Sequence, residues 1–213
     1  MTHCKNMLEL FNKPEFIVFS TRDFATASHS TMSASSKRLD RLAHKHFLTR
    51  VTRGIWANES HPHFHPLACV PYLLGKEQGY VSFLTALHLY GVISQIPGTI
   101  QIATTGRARI LDSPVGQFEF LKMKPEFMRD GVEWSDTRQP YLIATREKAL
   151  LDVLYISTRK NRRFAKLPEL DFGDSGFRQR EFARLLRELP YPIRIRSAIE
   201  SRWRSLNVAY QLA

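Results

Sequence analysis

The stretch Thr31–Asn58, TMSASSKRLDRLAHKHFLTRVTRGIWAN, changes character twice. It is small and hydroxylated at first, then basic, then alternates apolar with basic or hydroxyl residues around "TRG". At about 100° per residue, Met32, Ser36, Leu39, Leu42 and Ala43 fall on one stripe of a helix. Ser30, Ser33, Ala34, Lys37, Arg41 and His44 fall on the other side, flanked by Arg38 and Lys45. Ser30 or Thr31 is placed to cap this helix. Beyond it, Phe47, Thr49 and Val51 alternate with Leu48, Arg50 and Thr52, and Arg53-Gly54 turns the chain into Ile55-Trp56-Ala57. Gly54 supplies the backbone freedom that such a tight turn requires.

Upstream, Asn6 to Phe11 reads as a short first helix closed by Pro14, and "EFIVFS" as an apolar connection. A brief second helix runs from a Thr21 cap to about Ser28, with Asp23 in its first turn. Two short helices, a basic third helix and a hairpin with two arginines compose a winged helix-turn-helix over residues 1–58. Small residues at the start of the third helix would let it approach base edges closely, with long cations behind them. The expected DNA-binding set is Ser30, Ser33, Ser36, Lys37, Arg38, Arg41, Arg50 and Arg53. In it Lys37 and Arg41 enter the major groove, while Arg38, Arg50 and Arg53 hold phosphates.

Charge agrees with a polyanionic partner. The 213 residues carry a formal charge of +11 and a pI near 10.0, and that balance favours nucleic acid. The excess is uneven: residues 1–60 hold a surplus of four cations, residues 61–157 balance, and residues 158–213 hold a surplus of seven. A hydrophobic fraction of 43% supports a folded core. Cys4 and Cys69 lack partners at zinc spacing and read as free thiols of a reducing compartment. No signal-peptide pattern or membrane-length apolar run is present, so a cytoplasmic protein is expected.

"NESHPHFHP" follows the hairpin, and residues 59–66 read as a proline-stiffened linker rather than a metal site. His61, His63 and His65 alternate there without a carboxylate or thiol partner. Residues 67–213 read as a second, larger domain. A helix begins near Ser82 and stops at Gly91. Strands occupy "TIQIATTGRARILDSPVGQFEFLKM". Thr145 caps "REKALLDVLYI", and two later helices run from Arg178 to Leu189 and from Ser197 to about Tyr210. The fold class expected is mixed α+β, with a winged helix-turn-helix preceding an α/β-type domain.

Four segments in series carry a resemblance: "FLTRVTRGIWA", "YVSFLTALHLYGVISQIP", "IQIATTGRARILDSPVGQFEFLKM" and "YLIATREKALLDVLYI". Together they resemble the AbiEi family of antitoxins from type IV toxin–antitoxin (abortive infection) systems, over roughly Thr21 to Ile156. The resemblance implies a winged helix that binds inverted repeats of double-stranded DNA in its own promoter and represses the operon; a homodimer on that DNA is a further expectation. It implies a C-terminal antitoxin domain that opposes a nucleotidyltransferase-like toxin without a stable complex. Carried onto this chain, the DNA reader is the helix from Ser33 to Arg41 and the wing from Arg50 to Arg53. A stand-alone transcriptional regulator, whose C-terminal domain dimerises or senses a ligand, is the alternative.

No enzyme, cofactor or metal is expected. A metal-dependent nuclease needs carboxylates and a lysine on one face. The nearest set, Asp112 with Glu119 and Lys122, fails because strand alternation sends the last two to opposite faces. Glu147 and Lys148 read as first-turn helix residues, with Lys148 a surface cation. No triad, nucleophilic cysteine motif or phosphate-cradling glycine loop occurs. A second basic surface is outlined by Arg107, Arg109, Arg159, Lys160, Arg162 and Arg163. It either prolongs the DNA footprint, meets RNA or a nucleotide used by a toxin, or is simply a solvated loop.

Overall fold

The chain is a mixed α+β protein, seen here in a computed structural model that describes residues 9–159, 163–173 and 175–211, with side chains through residue 206. Cys4, Lys160, Arg162 and the first half of the expected Asn6–Phe11 helix lie outside the described residues. Two compact units divide the chain.

Unit 1 comprises residues 1–77 together with 110–118 and 134–141. A 3-10 turn, Pro14–Phe16, leads into strand β1, Val18–Ser20. Helices α1 (Thr21–Ala27) and α2 (Met32–His44) follow, then the hairpin β2 (Thr49–Thr52) and β3 (Ile55–Ala57). A second 3-10 turn and α3, Val70–Leu74, complete the segment. The three strands form an antiparallel sheet in the order β1-β3-β2, with Phe19 opposite Trp56 and Arg50 opposite Trp56 from the other side.

Local chemistry explains the boundaries. Ser20, not Thr21, caps α1 through a reciprocal capping box: the Asp23 N–H donates to Ser20 Oγ at 3.2 Å, and the Ser20 N–H donates to Asp23 Oδ2 at 2.8 Å. Thr21 is buried instead, and its hydroxyl accepts from the Trp56 indole at 2.9 Å. Thr31 caps α2 by accepting from Ala34 N–H at 3.3 Å. Both helices end in a residue with positive φ, His29 at 48° and His46 at 58°. At each end the next amide reaches back five residues, Ser30 to Ala25 and Phe47 to Leu42, closing a Schellman motif. Phe16, Phe19, Phe24, Leu39, Leu48 and Trp56 form the core, with Phe11 and Phe24 stacked at 6.0 Å.

The segment expected as a linker is folded onto unit 1. Asn58 and His61 are buried; Asn58 Nδ2 donates to Phe11 O at 3.0 Å, and His61 Nε2 lies 3.3 Å from Asn12 O. Unit 1 also uses a residue distant in sequence. Gln139 Oε1 accepts from Val18 N–H at 3.0 Å and its Nε2 donates to Val18 O at 2.6 Å, so a side-chain amide stands where a neighbouring strand would pair with β1.

Unit 2 comprises residues 78–109, 119–133 and 142–213. From residue 78 onward the elements are β4 (Gly79–Val81), α4 (Phe83–Leu89) and β5 (Ile100–Thr104), followed by β6 (Arg109–Ser113) and β7 (Gly116–Lys122), of which residues 110–118 belong to unit 1. Strands β8 (Val132–Trp134) and β9 (Leu142–Ala144) precede helices α5 (Arg146–Ser157), α6 (Gln179–Glu188) and α7 (Ile193–Gln211). The sheet order is β6-β7-β5-β4-β9-β8, with β4 antiparallel to β5 and parallel to β9.

Helix α5 is the axis of unit 2. Thr145 caps it, and every residue from Glu147 to Ser157 is buried. It packs against α4, α6, α7 and β9. A helix enclosed on all sides is normally apolar throughout, yet this one carries the acidic and basic side chains Glu147, Lys148 and Asp152 inside.

Candidate nucleic-acid interface

On α2 the inward stripe is Ser35 and Leu39, with Leu42 and Ala43 partly covered. It is set one position away from the stripe expected through Met32 and Ser36. Met32 is 51% exposed. Ser35 is wholly buried and small, which lets α2 lie close against α1.

Ser35 also explains Ser30. Ser28 Oγ donates to Phe24 O at 2.6 Å, Ser28 and Ser30 hydroxyls meet at 2.7 Å, and Ser30 and Ser35 hydroxyls meet at 2.6 Å. This relay knits the turn between the helices. Ser30 therefore lies in the turn and not on the exposed face of α2, its hydroxyl committed to two neighbours. Ser36 and Arg38 are half-buried at the flanks, with Arg38 6.0 Å from the Phe24 ring centre.

Ser33, Ala34, Lys37 and Arg41 are exposed along one face. Arg41 Nε donates to Lys37 O at 3.3 Å, which sets the direction of its stem. His44 continues the face by one further turn and is also exposed. This face, with its small residues at the N-terminal end, matches the expected composition.

In the hairpin, Arg50 and Arg53 differ. Arg53 is exposed at the turn, and among the described residues no hydrogen bond or ion pair engages it. Gly54 beside it takes a φ of 80°, and its carbonyl accepts from Thr21 N–H at 2.9 Å, tying the turn to the start of α1. Arg50 is engaged: Nη1 lies 3.6 Å from Asp40 Oδ1, and its guanidinium sits 5.6 Å from the Trp56 ring centre. Asp40 is the sole acid of α2. Sequence reasoning missed this partner because the two residues meet only after the chain folds back; a lone acid in a basic helix was the available signal.

Of the four described residues of the second basic surface, Arg109, Arg159 and Arg163 are engaged within unit 2. The Arg109 guanidinium stacks 3.9 Å from the Phe120 ring centre. Arg159 Nη2 donates to Lys122 O at 2.8 Å and to Tyr155 Oη at 3.2 Å. Arg163 is paired with buried Glu119. Arg107 is exposed, and its carbonyl accepts from Arg109 at 3.1 Å. Lys160 and Arg162 lie outside the described residues.

The largest departure from expectation lies in α5. Lys148, expected at the surface, has no exposure at all. Its Nζ is bonded to Asp152 Oδ1 and lies 2.8 Å from Tyr80 Oη. Tyr80 Oη donates to Asp152 Oδ2 at 2.9 Å, and Ser82 Oγ donates to the same oxygen at 2.8 Å. Burial draws the Lys148 ammonium below its usual range, against the opposing pull of Asp152. Burial, reinforced by Asp152, holds the Tyr80 phenol well above its usual range. Glu147 is buried too, and its Oε1 accepts from the Arg178 N–H at 2.8 Å.

Residues from two resemblance-bearing segments, Ser82 from one and Lys148 and Asp152 from the other, thus converge on one enclosed network. Glu119 is buried on β7, while Lys122 at the end of the strand is exposed. His61 Nδ1 accepts from His63 N–H at 3.2 Å, and the His65 ring lies 5.5 Å from Tyr141. Among the described residues no three histidine, cysteine or acidic side chains converge on a metal-sized site, and no helix is long and apolar enough to cross a membrane. No protein-family model matches the chain, and no curated protein matches it.

Proposed function

We propose that unit 1 is a winged helix-turn-helix that binds duplex DNA, and that the chain is a transcriptional repressor. The observation that carries this reading is the exposed stripe Ser33, Ala34, Lys37 and Arg41 on α2, beside a hairpin whose turn presents Arg53. The element order strand, helix, turn, helix, hairpin, with β1 paired to β3, supports it. Helix α2 enters the major groove with its small residues leading, and the hairpin lies against the phosphates. The sequence-wide excess of cations draws the protein to the duplex.

The test is duplex binding by the full chain and by Lys37→Ala/Arg41→Ala/Arg53→Ala. These side chains are exposed, so the variant should fold normally. It should lose affinity for every duplex, and log K should fall less steeply with log salt, by about 0.9 for each phosphate contact removed. Equal binding by both proteins would refute the reading.

For unit 2 the proposed role is that of an antitoxin opposing a nucleotidyltransferase-like toxin, on the strength of the AbiEi resemblance. The Ser82, Lys148 and Asp152 positions that carry the resemblance sit in the interior, so their role on this reading is to hold the fold, and the toxin-opposing surface lies elsewhere. Co-expression with the adjacent reading frame tests it. Rescue of growth by both wild type and the triple variant would separate neutralisation from repression, and rescue by neither would leave a stand-alone regulator.

A further inference from the structure

The Asp40–Arg50 pair stands where a duplex-binding protein gains nothing from an acid. Asp40 lies about 60° round the helix from Lys37 and next in sequence to Arg41, with 42% of its side chain exposed. Arg50 is 51% exposed. An ion pair as open as this adds little to folding stability, so the fold does not account for it. Its electrical effect is plain: it cancels one cation at the junction of α2 and the hairpin.

Resting on the duplex-binding reading, we infer that Asp40 is a specificity-determining residue that makes the phosphate contact of Arg50 conditional on the base beneath it. For Arg50 to take a phosphate it must leave Asp40. That would expose a bare carboxylate to a polyanion, a costly arrangement unless the carboxylate finds a donor. In the major groove the suitable donor is an exocyclic base amine, with cytosine N4 the usual partner of an aspartate. Where that amine is present, Asp40 and Arg50 both exchange one partner for another. On other sequences Arg50 stays on Asp40 and one phosphate contact is not made.

The experiment measures binding of wild type, Asp40→Asn, Arg50→Ala and the double variant to two duplexes over a range of salt. One duplex is of random sequence; the other is enriched by wild type from a randomised pool. Asp40→Asn should bind the random duplex several-fold more tightly, with a salt slope steeper by about 0.9, and its preference for the enriched duplex should shrink. Arg50→Ala should change little on random duplex in the wild-type background but abolish the gain in the Asp40→Asn background. Unchanged affinity and slope in Asp40→Asn, or an equal loss from Arg50→Ala in both backgrounds, would overturn the inference. Wild type that binds no duplex would overturn the functional reading and this inference together, and that result is distinct from the other two.

Discussion

Lys148 and Asp152 stand one helical turn apart on α5 and bond to each other with both side chains at zero exposure. Tyr80 and Ser82 satisfy the remaining carboxylate positions. Removing one partner of such a pair leaves an uncompensated buried charge. Asp152→Ala should cost about 3–5 kcal/mol in denaturant unfolding at neutral pH. Lys148→Met/Asp152→Leu should cost less than the two single changes combined, a coupling that a double-mutant cycle reads directly.

The same pair has a pH signature. Burial holds the folded Lys148 pKa below its unfolded value, so the unfolded chain binds more protons between those two values. Stability from this group is therefore complete above the unfolded pKa and is lost as pH falls through the folded one. On the alkaline side, unfolding free energy should rise with pH more steeply in wild type than in Lys148→Met.

Gly131 is fixed by the same helix. It takes a φ of 74°, and a Cβ placed there would lie 2.8 Å from Lys148 Cβ. Its carbonyl accepts from Thr145 N–H, the cap residue of α5, at 2.8 Å. Gly131→Ala combines left-handed strain with overpacking and should cost about 2–4 kcal/mol, read as a drop in the thermal midpoint.

Cys69 is a buried thiol whose pKa is pushed to about 12, first by burial and then by the nearby Glu59 carboxylate. In a Cys4→Ser background, native protein at mildly alkaline pH should leave a thiol reagent nearly unreacted, and denaturation should release one thiol. The raised folded pKa also fixes a sign. Stability from this group is full below the unfolded pKa and falls as pH rises towards about 12.

Gln139 supports β1 from outside the contiguous N-terminal segment. Gln139→Ala strips partners from both the N–H and the carbonyl of Val18, a residue with no exposure. A loss of about 1–3 kcal/mol is expected. Gln139→Glu should keep an acceptor for the amide but leave the carbonyl without its donor, giving an intermediate loss.

Much of the fold was legible where the signal is local. The Thr145 cap, a cap at Ser30 or Thr31 (Thr31 in the structure), the turn at Arg53-Gly54 and the stop at Gly91 each follow from a side chain or backbone preference within one turn of its effect. Helix α6 was bounded by the same means, between Arg178 and Pro190. What escaped is what only folding brings together. The recruitment of Gln139 to β1 spans 121 residues. The enclosure of α5 could not be read from its periodicity, because charged residues on a helix normally mark a solvent face, and here Lys148 meets Tyr80 across 68 residues. The α2 stripe was displaced because a serine can lie inside when another hydroxyl, Ser30, receives it. Of the expected binding face, Ser33, Lys37, Arg41 and Arg53 are exposed together on unit 1, whereas Ser30 and Arg50 have partners that local pattern does not reveal.

The most direct test of a cationic duplex-binding face is the salt dependence of binding to a short labelled duplex. With Arg38 and Arg53 as phosphate contacts, affinity should fall about tenfold between about 50 and 200 mM salt. The Lys37→Ala/Arg41→Ala/Arg53→Ala variant should bind more weakly and lose about half of that dependence. A wild-type protein that binds no duplex, or whose affinity barely changes with salt, would contradict the account.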